Sequence, residues 1–376
     1  MHVTVVFWTA AAVGVYVYAG YPLVLLLLRA LVRRPVRKGP VEPSVSVLVA
    51  AYNEEHVIAE KIQNVLSLDY PAAKLELVVA CDGPTDGTTD VVRGMADGER
   101  VRAFTYPINR GKLHVLNDTV PELRGEIVAF SDASSMLDRL ALRRLVASFA
   151  DPAVGAVSGV YRVRKQDASH LGRQEDFYWK YETFLKKQEA ALGSILGAHG
   201  SLYAIRKSLY PFPRPDTIND DYVIPLRIVQ QGYRVAYEPE ALAYEEAHEM
   251  AGFSRRVRIM AGNVEQLREL RPLLWPLRPL TLFFFLSHKV GRLIVPAALV
   301  ALAWSNLLLL RQPFYRWMGV LQLVFYGLVA LGASRRVRPK LLRLPYYFCM
   351  INAAALVGVY HAMRGGGRRR FAWKHD

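Results

Sequence analysis

Asp220 and Asp221 stand side by side where a helical pattern opens, and such a pair can bind a cation, take a proton from a hydroxyl, or cap the helix. Two more carboxylates, Asp82 and Asp132, each close an apolar run, Leu77–Cys81 and Ile127–Ser131. Lys112 ends Asn109-Arg110-Gly111-Lys112, which suits a phosphate but is not a Walker loop, since no Gly precedes at the required spacing and no Ser or Thr follows. His199 sits among small residues in Leu196-Gly197-Ala198-His199-Gly200-Ser201, a segment open to close approach of a ligand. That segment lacks the Gly-x-Ser-x-Gly spacing of a serine hydrolase. Each residue also has a plain structural reading: turn residues for Asp82-Gly83-Pro84, a helix-start lysine for Lys112, a structural histidine for His199, and a helix cap for Asn219 or Asp220.

The elements that must position these groups read as alternating strands and helices. The pattern predicts strands at Val45–Ala51, Leu75–Cys81, Val101–Tyr106, Ile127–Phe130, Val154–Tyr161 and Tyr233–Tyr237. Helices are expected at Glu54–Leu68, Thr88–Met95, Lys112–Leu123, Arg139–Phe149, Gln174–Ala191 and Tyr222–Gln231. The apolar runs lack polar alternation, as in strands covered on both faces, so the fold class is α/β with a mostly parallel sheet. In such sheets ligands sit outside the carboxyl ends of the strands, where Asp82 and Asp132 fall.

Of the 376 residues 52% are hydrophobic, more than a soluble domain needs. The 26 residues Val3–Leu28 carry no formal charge and make a helix roughly 39 Å long at ~1.5 Å per residue, enough to cross a bilayer. Arg29, Arg33, Arg34, Arg37 and Lys38 crowd its far end, which should face the cytosol. Three more spans are expected at Ile294–Leu310, Trp317–Ala333 and Leu344–Met363, with His288, Lys289 and Arg292 ahead of the first. Trp275 lies in an interrupted amphipathic stretch, Val264–Leu280, of interfacial character. The basic loop of Arg335, Arg336, Arg338, Lys340 and Arg343 obeys the positive-inside rule, whereas four spans place the basic tail outside, against it. The expected layout is a span at 1–30, a basic linker at 31–43, a cytosolic domain at 44–262, interfacial helices at 263–293, spans at 294–363 and a basic tail at 364–376. The net charge of +15 clusters at span ends and so points to lipid headgroups, not nucleic acid. Cys81 and Cys349 form no CxxC, which leaves neither a disulfide framework nor a zinc site.

Six motifs in order resemble the membrane-bound glycosyltransferases of family 2, the superfamily of cellulose, hyaluronan and poly-N-acetylglucosamine synthases, over about Ser44 to Gly262. They are Ala51-Tyr52-Asn53-Glu54, Cys81-Asp82-Gly83-Pro84-Thr85-Asp86-Gly87-Thr88, Asn109-Arg110-Gly111-Lys112, Ser131-Asp132-Ala133-Ser134, Asn219-Asp220-Asp221 and Arg255-Arg256-Val257-Arg258-Ile259. The resemblance implies a GT-A-like nucleotide-sugar-binding domain flanked by transmembrane and interfacial helices. It implies that Tyr52 and Glu54 line the nucleoside pocket, that Asp82 reads the base, usually uracil, and that Lys112 and Arg258 meet the diphosphate. Asp132 corresponds to the first acid of the family's Asp-x-Asp and implies a Mg²⁺ or Mn²⁺ ion. Asp221 takes the place of the general base, with Asp220 beside it, and His199 and Gly200 take that of the acceptor collar. Three positions depart from the pattern. Ser134 replaces the second acid, Arg255 a glutamine, and Ile259 the tryptophan that stacks on the acceptor sugar in polymerising relatives.

The expected activity is inverting transfer from a nucleotide-sugar donor, with UDP as the expected nucleotide, to a glycan in extracellular polysaccharide synthesis. The enzyme would be a multi-pass cell-membrane protein, as a homo-oligomer or with an export partner. Ile259 and the thin lining that four spans give a polymer channel favour an alternative, transfer of one sugar to a membrane lipid. Ser134, Lys289 and Arg292 favour another, a non-catalytic transporter or scaffold.

Overall fold

The computed structural model describes residues 2–164, 170–246, 252–269, 279–334 and 340–364. The chain divides into two compact units, one made of Met1–Leu28 and His248–Gly367, the other containing Arg29–Ala247.

The chain begins with α1 (His2–Val15) and α2 (Tyr21–Leu31), joined without a break by a π turn at Tyr16–Gly20. The second unit comprises β1 (Val45–Ala51), α3 (Glu55–Leu66), β2 (Leu75–Asp82), α4 (Thr88–Met95), β3 (Val101–Tyr106), α5 (Lys112–Thr119) and β4 (Ile127–Phe130). Next come β5 (Met136–Leu137), α6 (Ala141–Val146), β6 (Val154–Arg164), α7 (His170–Leu192), β7 (Tyr203–Arg206), α8 (Asp220–Gln230) and β8 (Arg234–Glu246).

The strands form one sheet in the order β3-β2-β1-β4-β7-β6-β8-β5. Pairing is parallel from β3 through β4, as the βαβ alternation dictates, and every residue of β1, β2 and β4 is buried. Ile58, Ile62 and Val65 of α3 recur at helical spacing and join the core below the sheet. Beyond β4 the sheet is mixed: β7 runs antiparallel to β4 and β6, and β8 runs parallel to β6. The sequence pattern predicts only Tyr233–Tyr237 at the last long strand. β8 extends to Glu246 because its second half pairs with the end of β6 after a register shift, a contact between distant segments. α8 starts two residues earlier than expected, which puts Asp220 and Asp221 inside its first turn.

The helical unit continues with α9 (Gly252–Glu269), α10 (Pro279–Phe284), α11 (Gly291–Leu309), α12 (Pro313–Ala333) and α13 (Lys340–Met363). Among the described residues four helices are long and apolar enough to cross a membrane: His2–Leu31, Pro279–Leu309, Pro313–Ala333 and Arg343–Met363. The second begins at Pro279 because α10 and α11 are continuous through a π turn at Phe285–Val290. His288, Lys289 and Arg292 therefore lie within that helix and not ahead of it. The segment around Trp275, the basic loop at 335–339 and the tail at 365–376 lie outside the described residues.

Candidate active site

The carboxyl ends of β1, β2 and β4 meet at one edge of the sheet, and the reversal of β7 brings a fourth segment to it. Phe130, the last residue of β4, pairs with Tyr203, the first of β7, and their rings stack at 4.7 Å. The turn that leads into β7, Gly200–Leu202, thus lies beside the loop that leaves β4, which carries Asp132.

Four charged side chains converge there. Lys112 Nζ stands 2.9 Å from Asp132 Oδ1 and 3.3 Å from Asp220 Oδ1. Asp220 is buried and its other oxygen accepts from the Tyr203 hydroxyl at 3.0 Å. Asp221 Oδ2 accepts from the Gly200 N–H at 3.1 Å, and its carbonyl accepts from the Ala198 N–H at 2.8 Å. A Cβ on Gly200 would lie 3.3 Å from Asp132 Oδ2 and 3.5 Å from Asp221 Oδ2, so both carboxylates close on one backbone point where a side chain would press on Asp132.

The charges set one another's protonation. Burial alone would pull the Lys112 ammonium down, yet Asp132, Asp220 and Asp221 together push it well above the ordinary lysine range. Asp221 is pushed up to about 6, by desolvation first and by Asp220 second, while Lys112 and Lys186 pull against the rise. A carboxylate poised there is ionised at neutral pH and still basic enough to accept a proton.

The helix starts explain the placement. Gly111 has φ +99°, a conformation suited to glycine, and lets α5 begin at Lys112. Asp82, fully buried at the end of β2, accepts from the N–H groups of Arg110 at 2.9 Å and Gly111 at 2.7 Å. Its carboxylate is a clamp for the loop that delivers Lys112, and a base read by Asp82 would have to share oxygens already engaged. Asn219 holds the cap position of α8 without a side-chain bond to the helix, so neither it nor Asp220 acts as the expected side-chain cap.

Tyr52 and Glu54 follow β1 at the same edge. The Glu54 N–H donates to Thr88 Oγ1 at 2.8 Å, and Asn53, with φ +55°, receives the Thr85 N–H at 2.8 Å, which stitches the loops after β1 and β2 together. The Glu54 carboxyl is raised to about 7, by burial and then by Asp132, Asp86 and Glu245. His199 is buried with Nε2 3.3 Å from Lys186 Nζ, and since an ammonium only donates, that nitrogen is the acceptor. Arg258 is half-buried on α9 and belongs to the helical unit.

Sequence reasoning passed over Lys61, Lys186, Ser131 and Tyr203. The signal for the first was present: Lys61 falls on the apolar stripe of Ile58, Ile62 and Val65, a core position given to a lysine. Lys186 lies on α7 and donates to the Ala198 carbonyl at 3.2 Å beside His199, a contact with no local sequence mark.

Residues 43–261, which hold every element of this edge, match the model of the glycosyltransferase like family 2. The chain belongs to that family. Poly-β-1,6-N-acetyl-D-glucosamine synthase of Staphylococcus epidermidis strain RP62A is 27% identical to this family 2 chain over 257 residues, 66% of the chain and 61% of the relative. The synthase of Staphylococcus aureus strain COL is 28% identical over 230 residues, 59% of the chain and 55% of the relative. The chain thus spans less than two thirds of the length of these curated relatives. A solved structure, the mannosyltransferase PcManGT from Pyrobaculum calidifontis in complex with GDP-Man and Mn²⁺, matches with a TM-score of 0.74 at 24% identity and covers 95% of this chain and 99% of its own. The fold is GT-A-like, as the motifs implied.

Proposed function

We propose that this family 2 chain is a membrane-bound inverting glycosyltransferase that moves a sugar from a nucleoside-diphosphate donor to a glycan. The observation that carries the reading is the meeting of Lys112, Asp132 and Asp221 around Gly200, a cation, a ligand and a base within one contact shell. The relatives named as poly-N-acetylglucosamine synthases support a polysaccharide product and an N-acetylglucosamine donor, with UDP proposed as its carrier on the resemblance of the motifs.

In the proposed step the acceptor oxygen bonds to the anomeric carbon as the bond from that carbon to the diphosphate breaks. The acceptor proton passes to Asp221 and the nucleoside diphosphate leaves. The Gly200 N–H fixes the Asp221 oxygen that does not take the proton, and Lys112 offers positive charge to the departing phosphate. Asp220, tied to Tyr203 and Lys112, keeps Asp221 basic through its own charge. Tyr52 and Glu54 flank the nucleoside, while His199 and Gly200 face the acceptor.

The donor set suits a hard divalent ion. Among the described residues no three His, Cys, Asp or Glu side chains gather as a closed metal site. Asp132 supplies a carboxylate where Lys112 and Gly200 converge, with Asp221 across Gly200, and Mg²⁺ or Mn²⁺ sites with few protein ligands are completed by substrate phosphates and water. Bound there, the ion would neutralise charge on the diphosphate. Ser134 in place of a second acid fits that sparse protein contribution.

The four apolar helices and the basic residues after α2 support a multi-pass membrane protein with the catalytic unit in the cytosol. Ile259, exposed on α9 where polymerising relatives carry tryptophan, favours a second reading in which one sugar goes to a membrane lipid. Product analysis of the purified protein with labelled nucleotide sugars and native lipids separates the two: a ladder for the first, a single lipid shift for the second. Asp221→Asn should lower turnover ~10²–10⁴-fold while donor binding stays measurable, and full retained turnover would remove Asp221 from the base role.

A further inference from the structure

Helix α3 buries a charge where its pattern asks for an apolar residue. Lys61 is 0% exposed, on the face that Ile58, Ile62 and Val65 turn to the sheet. A buried ammonium is costly unless hydrogen bonds satisfy it, and these are supplied by a single loop. Lys61 Nζ donates to Ser131 Oγ at 2.7 Å and to the Ser135 carbonyl, the two residues that bracket Asp132. Ser131 Oγ passes the chain on, donating to the Ser201 carbonyl at 2.7 Å, next to Gly200. Ser135 Oγ donates to the buried Glu245 of β8. Desolvation lowers the Lys61 ammonium to about 7, against the pull of Asp132 and Glu245. The proposed sugar transfer makes no use of any of these groups.

We propose that Lys61 is a positioning residue: it pins both ends of the Ser131–Ser135 loop so that Asp132 meets a divalent ion and diphosphate. An ammonium fits the task because its three donors diverge, and two of them reach opposite ends of one turn. Methionine in its place fills the volume but leaves the Ser135 carbonyl without that donor, at a position with 0% exposure. The loop then relaxes, and the ion meets a carboxylate that is no longer held. The inference rests on the metal-dependent reading of the site.

The test uses the full chain, purified in detergent, with Mn²⁺ binding followed by electron paramagnetic resonance in the presence of UDP and, in parallel, GDP. Lys61→Met should weaken Mn²⁺ binding ~10-fold or more and Ser131→Ala about threefold, as changes behind a metal ligand do, while turnover at saturating Mn²⁺ stays within about threefold of wild type. Wild-type Mn²⁺ affinity in both variants would overturn the inference and leave the active site as read. Should Lys61→Met lose its cooperative unfolding transition, Ser131→Ala decides by the same measurement. A wild-type protein that binds no Mn²⁺ with either nucleotide and transfers sugar in EDTA would overturn the metal reading itself, and this inference with it.

Discussion

Replacing Lys112 with methionine keeps the length of the side chain and deletes a cation that Asp132 and Asp220 share. Its ammonium stands 2.9 Å from Asp132 and 3.3 Å from Asp220. At an effective dielectric of about 20, each contact of that length carries a gross attraction of roughly 5–6 kcal/mol. Desolvation returns most of it, and a third of the Asp132 side chain meets solvent, so the net cost falls to ~2–3 kcal/mol, below the ~3–5 kcal/mol of a fully buried pair. In a domain of this size that lowers Tm by roughly 4–12 °C. The loss depends on pH. Without Lys112, the remaining carboxylates repel, and Asp221, already raised by burial and by Asp220, loses the cation that pulls against the rise and is pushed further above its unfolded value. Stability from a raised carboxyl is present at low pH and lost as pH climbs through the folded value, so the variant suffers most at pH 8 and least at pH 5. Asp221, at about 6 even with Lys112 in place, protonates early on the way down. Thermal unfolding followed by tryptophan fluorescence in EDTA, at both pH values, measures this directly. Equal Tm values for variant and wild type at pH 8 would mean that these charges do not act as one cluster.

The same geometry sets two further outcomes. Because Asp221 must be ionised to accept a proton, kcat should rise with pH through a limb near 6, and a flat profile between pH 5 and 7 would remove it as the base. Asp82→Ala strips the acceptor from the N–H groups of Arg110 and Gly111, each bond to a charged group being worth ~1.5–3 kcal/mol; donor KM should rise at least ~10-fold with kcat less affected, and an unchanged KM would show that the loop holds Lys112 unaided.

Legibility in the sequence divides along physical lines. The parallel half of the sheet was legible because each strand is a continuous apolar run and each crossover is local, and Asp132 and Lys112 fell where that topology puts ligands. β7 and the second half of β8 were not, since β7 is short and both owe their place to partners far along the chain. Among candidate site residues, Asp221 and Asp132 showed through residue type and place in the chain that they belong to this edge. Asp82 did not, because its engagement with Arg110 and Gly111 depends on a turn that only the folded chain forms. Lys61 and Lys186 stayed hidden for a different reason: a lysine on a helix reads as a solvated face until the partner loop packs over it.

The reversal between β4 and β7 divides the active edge into two inheritances. Asp82, Lys112 and Asp132 come from the parallel half and the loop that leaves it after Phe130. Gly200, Tyr203 and Asp221 come from the later, mixed half, joined to the first by the β4–β7 and β5–β8 pairs, the stacked rings of Phe130 and Tyr203, the Ser131–Ser201 bond and the Lys112–Asp220 ion pair. A relative's segment grafted after Ile195 would therefore have to match the Phe130–Tyr203 seam, the Ser131–Ser201 bond and the Lys112–Asp220 pair at once. The two halves of this edge are bound to change together, as one heritable unit.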